Sequence, residues 1–390
     1  MVDYNKIVSR RVAEVPPSGI RKFFDLASEM EDAISLGVGE PDFVTPWNIR
    51  EAAIYSIERG HTHYTSNHGV IELREYIAEY MDYRFGLTYS PGQIMVTVGA
   101  SEAIDLALRA IVEPGDEVLV PEPCYVSYMP KVMFNGGVPV PIRMSDDEEF
   151  KFTVDNVKPL INERTKAIIV AFPNNPTGAI MTESELKPVA ELLQGTDIIA
   201  VSDEIYAELT YQGKHASIAS LDGMWERTIV INGFSKAFAM TGWRLGYVCA
   251  PTELLDTMLK IHQFTMLCAP VMSQAAALEA LRAGFENNFM DVERMRRQYN
   301  RRRRVIVDGF RDMGLSCFEP MGAFYVFPCL DSTGMNAEQF CEGLLMSKKV
   351  ACVPSSAFGR SNSFMRCSYA TSLDSINEAL KRIRAYIQEI

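Results

Sequence analysis

The chain has 390 residues, a formal net charge of −12, and 47% hydrophobic against 23% charged side chains. That length and mix suit a globular protein with one large and one smaller domain, and exclude wholesale disorder. The negative balance repels phosphate backbones and anionic lipid, so neither nucleic acid nor a membrane is an expected partner.

Residues 1–45 carry Pro16, Pro17, Gly19, Gly37, Gly39 and Pro41 and read as an arm or lid rather than core. Residues 1–19 hold no apolar signal-peptide stretch, and the protein is read as cytoplasmic. Residues 94–98 predict a strand, and 100–112 a helix whose Ile104, Ala107, Leu108, Ile111 and Val112 share one face. Further strands are expected at 117–120, 166–172, 197–201, 228–231 and 245–249. Thr182 opens a helix, with Glu185 three residues on completing a capping box. After about residue 285 the pattern changes to a charged helix over 289–313, short strands near 323–327, 350–353 and 364–368, and an amphipathic helix over 373–387. Arg294, Arg296, Arg297 and 301–304 are read as the solvated face of the first of these helices. The eight cysteines show no C-x-x-C spacing and suit a reducing compartment, and no cluster of histidines points to a metal. No apolar run is long enough to span a membrane.

Strands alternating with helices predict an α/β fold with a mostly parallel sheet, followed by a smaller α+β unit. The expected division is an N-terminal arm and part of the small domain at 1–45, a large domain at 46–285 and a small C-terminal domain at 286–390. In such sheets ligands collect outside the carboxyl ends of the strands, so each loop after a strand becomes a candidate. Gly99-Ala100-Ser101 opens a helix with small residues, which suits an anion such as phosphate, or is an ordinary strand-to-helix turn. Asp203, at the end of a buried strand, wants a cationic or N–H partner such as a pyridinium, or serves as a helix N-cap. Lys236, just past another strand in Gly233-Phe234-Ser235-Lys236, is placed for desolvation, which lowers a lysine's pKa and makes it a nucleophile toward carbonyls. Arg244 is near enough in sequence to share a phosphate with Ser101 and Ser235. Asn175 lies in a turn-rich loop from which it can reach a ring oxygen. Tyr125 and Tyr128 offer faces for ring stacking, or pack in the core. Arg366, inside an apolar strand, calls for a planar anion such as a carboxylate, or a structural ion pair.

The strings Asn174-Asn175-Pro176-Thr177-Gly178, Ser202-Asp203-Glu204-Ile205-Tyr206 and Ser235-Lys236 followed by Thr241-Gly242-Trp243-Arg244-Leu245-Gly246-Tyr247 resemble the class I/II aminotransferases of the aspartate aminotransferase superfamily. The resemblance runs from Leu36 to Arg366 and looks closest to the branch of N-acetyl-diaminopimelate and aromatic aminotransferases. It implies pyridoxal 5′-phosphate (PLP) fold type I, with a seven-stranded sheet flanked by helices in the large domain. It further implies a catalytic set of Lys236, Asp203 and Tyr206. Lys236 would bond the cofactor aldehyde and move the proton, and Asp203 would keep the pyridine nitrogen protonated. Tyr206 and Asn175 would bond the ring oxygen and Tyr125 would stack. Gly99, Ala100, Ser101, Ser235 and Arg244 would hold the phosphate. Tyr64 would reach the phosphate of a neighbouring subunit, which makes the partner a second copy in a homodimer with shared sites. Arg366, with Gly39, Asn175 and Ile20, would hold the amino-acid substrate.

Gly233 departs from the pattern, since many relatives carry a serine there, and the expected cost is one hydroxyl to the phosphate. The resulting expectation is ping-pong transamination from an L-amino acid, aromatic or N-acetyl-diaminopimelate-like, to a 2-oxo acid such as 2-oxoglutarate. A carbon–sulfur β-lyase on the same fold is the nearest rival. An amino-acid-sensing regulator lacks the basic DNA-binding region it would need, and no G-x-G-x-x-G supports a nicotinamide dehydrogenase.

Overall fold

The computed structural model describes residues 2–17, 19, 30 and 32–390. The described strands, in chain order, are β1 (Ile34–Ser35), β2 (Ile94–Thr97), β3 (Glu117–Glu122), β4 (Val138–Arg143), β5 (Thr165–Val170), β6 (Ile199–Asp203), β7 (Thr228–Gly233), β8 (Gly246–Cys249), β9 (Tyr325–Val326), β10 (Val350–Ala351), β11 (Val353–Pro354) and β12 (Met365–Ser368). β2-β8-β7-β6-β5-β3-β4 form one seven-stranded sheet in which every strand but β8 runs the same way. The expected mostly parallel sheet is therefore present.

Every residue of β2, β3, β7 and β8 is buried. The reason is cover on both faces, which turns such strands into continuous apolar runs. Alternate residues serve opposite faces. Ile229 and Ile231 pack with the helices Gly99–Ile111 and Thr252–Thr265, while Val230 packs with Ile71–Phe85 and Val271–Asn287. The capping box holds: Glu185 accepts the backbone N–H of Thr182 at 2.7 Å at the start of Glu183–Leu193.

β4 was not expected from the sequence. It carries Pro139 and Pro141, which cannot donate to a ladder, and it is tolerated because it is the sheet's edge, paired on one side to β3.

The C-terminal half builds its own layer. β11-β12-β9 form an antiparallel sheet against Met290–Arg311 and Leu373–Glu389, and β1 pairs in parallel with β10. The strand expected at 350–353 is thus split between two sheets. Reading residues 1–45 as arm rather than core is corrected by Leu36, which is fully buried in this layer, its carbonyl accepting the Ser368 N–H at 2.6 Å. The arginine run is corrected in part. Arg294, Arg297, Arg301 and Arg304 are exposed, but Arg302 and Arg303 are buried. They flank the core stripe Tyr299, Ile306 and Phe310 and are drawn in by Asp42 (2.7 Å) and Glu319 (2.8 Å). Among the described residues no helix is long and apolar enough to cross a membrane.

Gly233 and Gly246 face each other across β7 and β8. A Cβ on Gly246 would lie 2.6 Å from the Ala100 nitrogen and 2.7 Å from the Gly99 carbonyl carbon, so β8 rests directly on the start of the Gly99–Ile111 helix. Gly246→Ala is expected to cost about 1–3 kcal/mol by overpacking. The check is a lower urea midpoint at unchanged slope.

Candidate active site

A cavity of about 520 Å³ opens where the carboxyl ends of β5, β6 and β7 meet the C-terminal layer. Of the residues singled out by sequence, Gly39, Ala100, Ser101, Tyr125, Asn175, Asp203, Tyr206, Ser235, Lys236, Arg244 and Arg366 line it together. Gly99 sits just behind the wall. Its φ of +77° suits glycine, and a Cβ there would meet the Arg244 guanidinium at 2.9 Å. Tyr64 is 81% exposed and does not line this cavity. Ile20 falls outside the described residues.

Asp203 ends β6 and is buried. Burial pushes its carboxyl up to about 6, against hydrogen bonds from Tyr128 and the Ile205 N–H that pull it down. The Tyr128 hydroxyl donates to Oδ2 at 2.7 Å. Tyr128 was expected as a second stacking face, and this bond corrects that: its hydroxyl is committed to Asp203, while its ring meets Tyr125 edge-on at 5.6 Å.

Lys236 lies in the short helical turn Phe234–Ala237 that follows β7. Its Nζ donates to the Gly39 carbonyl at 2.6 Å. Burial pushes its pKa down to about 8; Glu40 opposes that shift, and Arg366 and Arg244 reinforce it. The first turn of Gly99–Ile111 brings unpaired backbone N–H groups at Ala100 and Ser101 to the wall, beside Ser235 and Arg244. Arg244 is held in the left-handed region, with Nη1 on the Thr241 carbonyl at 3.0 Å.

The two asparagines of the 174–178 loop divide the work. Asn174 is fully buried and accepts from the Thr177 N–H and hydroxyl, closing the turn. Asn175 Oδ1 accepts from Arg366 Nη1 at 2.9 Å, which leaves its amide N–H groups as the donors available to a guest. Arg366 is buried. Nη2 donates to the Gly37 carbonyl at 2.6 Å, and Nε is buried without a partner among the described residues. Its guanidinium lies 4.6 Å from the Tyr325 ring and 4.7 Å from the Phe358 ring. Tyr325 was not singled out by sequence. Its hydroxyl stands 2.8 Å from that of Tyr206. A tyrosine in the string Gly322-Ala323-Phe324-Tyr325-Val326-Phe327 looks like core until its neighbour across the cavity is known.

A phosphorylated pyridine aldehyde fits this donor set. A buried carboxylate with no contacting cation among the described residues would suit a ring nitrogen, a helix N-terminus with Ser235 and Arg244 would suit a phosphate, and a lysine amine in the same cavity would suit the aldehyde. Gly233 is explained sterically: a Cβ there would press on the Gly246 Cα at 2.8 Å and the Leu245 carbonyl at 3.1 Å. Among the described residues no three His, Cys, Asp or Glu side chains are grouped to hold a metal.

The family described as aminotransferase class I and II matches residues 31–383. YugH of Bacillus subtilis (strain 168), an aminotransferase by name, is 54% identical over 384 residues, 98% of either chain. The aspartate aminotransferase of Pyrococcus abyssi is 45% identical over 385 residues, again 98% of each. The crystal structure of an aromatic aminotransferase from Pyrococcus horikoshii superposes with a TM-score of 0.89 at 42% identity, over 94% of this chain and 99% of that one.

The depressed pKa of Lys236 has a direct readout. Its neutral, nucleophilic fraction grows as pH rises through about 8. Trinitrobenzenesulfonate labelling of the cofactor-free protein, mapped by mass spectrometry, should therefore reach half its maximal rate at Lys236 near that pH, below the surface lysines.

Proposed function

The chain belongs to the class I and II aminotransferases, and from that premise we propose that it binds PLP on Lys236 and passes an amino group from an L-amino acid to a 2-oxo acid by a ping-pong route. The observation that carries this reading is the half-buried amine of Lys236, lying in one cavity with the Asp203 carboxyl and the N-terminus of Gly99–Ile111. When bound, PLP supplies an aldehyde that bonds amines and a pyridinium ring that draws electrons from the neighbouring carbon.

In this reading the chain's own residues divide as follows. Asp203, ionised, would pair with the ring N–H, and Tyr128 holds that carboxylate in place. Tyr206 and the free amide of Asn175 would donate to the ring oxygen, and Tyr125 would cover a ring face. Ala100, Ser101, Ser235 and Arg244, backed by Gly99, hold the phosphate. Arg366 takes the substrate carboxylate. Lys236 would bond the cofactor aldehyde and, when free, would carry a proton from the substrate's α-carbon, and its depressed pKa suits a base near neutrality.

The lining also bears on the substrate. Apart from Lys236, Arg244 and Arg366, the described cavity residues include no cation, while Ile104, Val126 and Tyr125 present apolar surface. That supports an aromatic donor; a long, N-acetyl-diaminopimelate-like donor and 2-oxoglutarate as acceptor, each with a second carboxylate, draw their support from the family alone. Exposed Tyr64, with Trp47, Ile54, Ile57 and Phe264 also exposed, supports a homodimer in which Tyr64 completes the partner's phosphate site. Division into 1–45, 46–285 and 286–390 belongs to the same reading, and the separate sheets support it.

Lys236→Ala should show neither the yellow colour of lysine-bound cofactor nor transamination in a panel of amino acids with 2-oxoglutarate. Full activity in that variant would sink the reading, and pyruvate released from cysteine without an acceptor would redirect it to β-elimination. Asp203→Asn should lower kcat about 10²–10³-fold by removing a preorganised charge.

The pH dependence has a definite sign. Without cofactor the Asp203 carboxyl is half-protonated at about 6, and the protonated form cannot pair with a cationic ring. Affinity for PLP, measured by equilibrium dialysis, should therefore weaken as pH falls through about 6. A flat profile across that range would count against Asp203 as the ring's partner.

A further inference from the structure

Resting on the PLP reading above, we infer that Tyr325 is a positioning residue that joins the carboxylate-binding guanidinium of Arg366 to the phenol of Tyr206 that faces the cofactor.

Tyr325 is 1% exposed, in β9, the strand beside the one that carries Arg366. Its two ends make different contacts. The ring face lies 4.6 Å from the Arg366 guanidinium carbon, and Phe358 lies at 4.7 Å, so two aromatic rings bear on the guanidinium. This aromatic contact fixes a planar cation without consuming its N–H groups, which stay available for an anion. The hydroxyl lies 2.8 Å from the Tyr206 hydroxyl. Gly39 leaves room for it, because a side chain on residue 39 would run into the Tyr325 hydroxyl. The same glycine's carbonyl accepts from Lys236. One side chain thus touches the group that meets the substrate and the group that meets the cofactor.

Hydrogen-bond counting sets the direction of the link. Tyr206 has one hydroxyl proton. If that proton goes to the cofactor's ring oxygen, a lone pair of Tyr206 faces Tyr325, whose own proton is free to fill it. Burial pushes both phenols above their ordinary pKa, so both keep their protons. The order is then Tyr325 to Tyr206 to ring oxygen. A hydroxyl that receives a bond is a better donor in turn.

Phenylalanine and leucine at position 325 separate the two contacts. Tyr325→Phe keeps the ring under Arg366 and removes only the hydroxyl. In the PLP-loaded enzyme, kcat should fall about threefold to tenfold, the worth of one hydrogen bond, with KM for the amino donor nearly unchanged. With Tyr206 a weaker donor, the charge on the ring oxygen is less well neutralised. The midpoint of the bound cofactor's absorbance titration should therefore move to higher pH. Tyr325→Leu should add a rise in KM of about tenfold through loss of the aromatic contact. Tyr206→Phe combined with Tyr325→Phe should shift the midpoint no further than Tyr206→Phe alone.

The inference is overturned if Tyr325→Phe leaves both midpoint and kcat at parental values, or if the double variant is additive. Circular dichroism of each variant separates these results from misfolding, and a Tyr325→Phe chain that loses its fold would assign the hydroxyl to stability and overturn the inference too. A parental protein that shows no cofactor absorbance overturns the PLP reading itself, and this inference with it.

Discussion

Partial burial of Lys236 desolvates its ammonium, and no carboxylate among the described residues contacts it. Its hydrogen bond goes to the neutral carbonyl of Gly39, and the rings of Tyr206 and Phe324 lie 5.6 and 5.5 Å away. An unpaired buried cation is costly, and the amine answers by holding its proton less tightly. The rest of the site follows from that constraint. Strand β7 must end where the lysine can enter the cavity, Gly39 must bring its carbonyl across from the N-terminal segment, and Glu40 must add negative potential without forming a salt bridge. In the proposed reading Lys236 serves as both nucleophile and base, and desolvation favours each property from one environment.

Asp203 is the complementary case. It is an acid made reluctant to ionise by the same burial, and kept usable by hydrogen bonds from Tyr128 and Ile205. An amine pushed down and a carboxyl pushed up in one cavity bring the two pKa values toward each other, so each group can change protonation near neutrality.

The architecture was legible from the chain because its central strands are buried on both faces and read as apolar runs between helices. The site was legible because its polar residues stand at the ends of those runs, where a charged side chain has no packing reason to be. Lys236, Asp203 and Asn175 signalled in this way, Arg244 just ahead of β8, and Arg366 as a charge inside an apolar strand. What stayed hidden was of another kind. β4 was masked by prolines that only an edge strand tolerates. Arg302 and Arg303 sit in a run whose periodicity cannot say which members meet Asp42 and Glu319 from distant segments. Tyr128 and Tyr325 are aromatic residues in apolar surroundings, so their sequence context speaks for packing. Their roles depend on where one hydroxyl points, which is a property of tertiary structure alone.

The reversed strand β8 gives the connection between β7 and β8 an unusual burden. A parallel neighbour would need a crossover of a dozen or more residues, usually through a helix. Here residues 234–245 return antiparallel without crossing the sheet, and this one segment, which includes the helical turn Phe234–Ala237, presents an amine at 236 and a guanidinium at 244. The two attachment points are thereby held at a set span, clamped at one end by the Gly233–Gly246 contact and at the other by the start of the Gly99–Ile111 helix. Such a segment behaves as a ruler. Side chains along it can vary while their neighbours adjust, but adding or deleting one residue would change the measured length itself, and no rotamer change elsewhere could restore it.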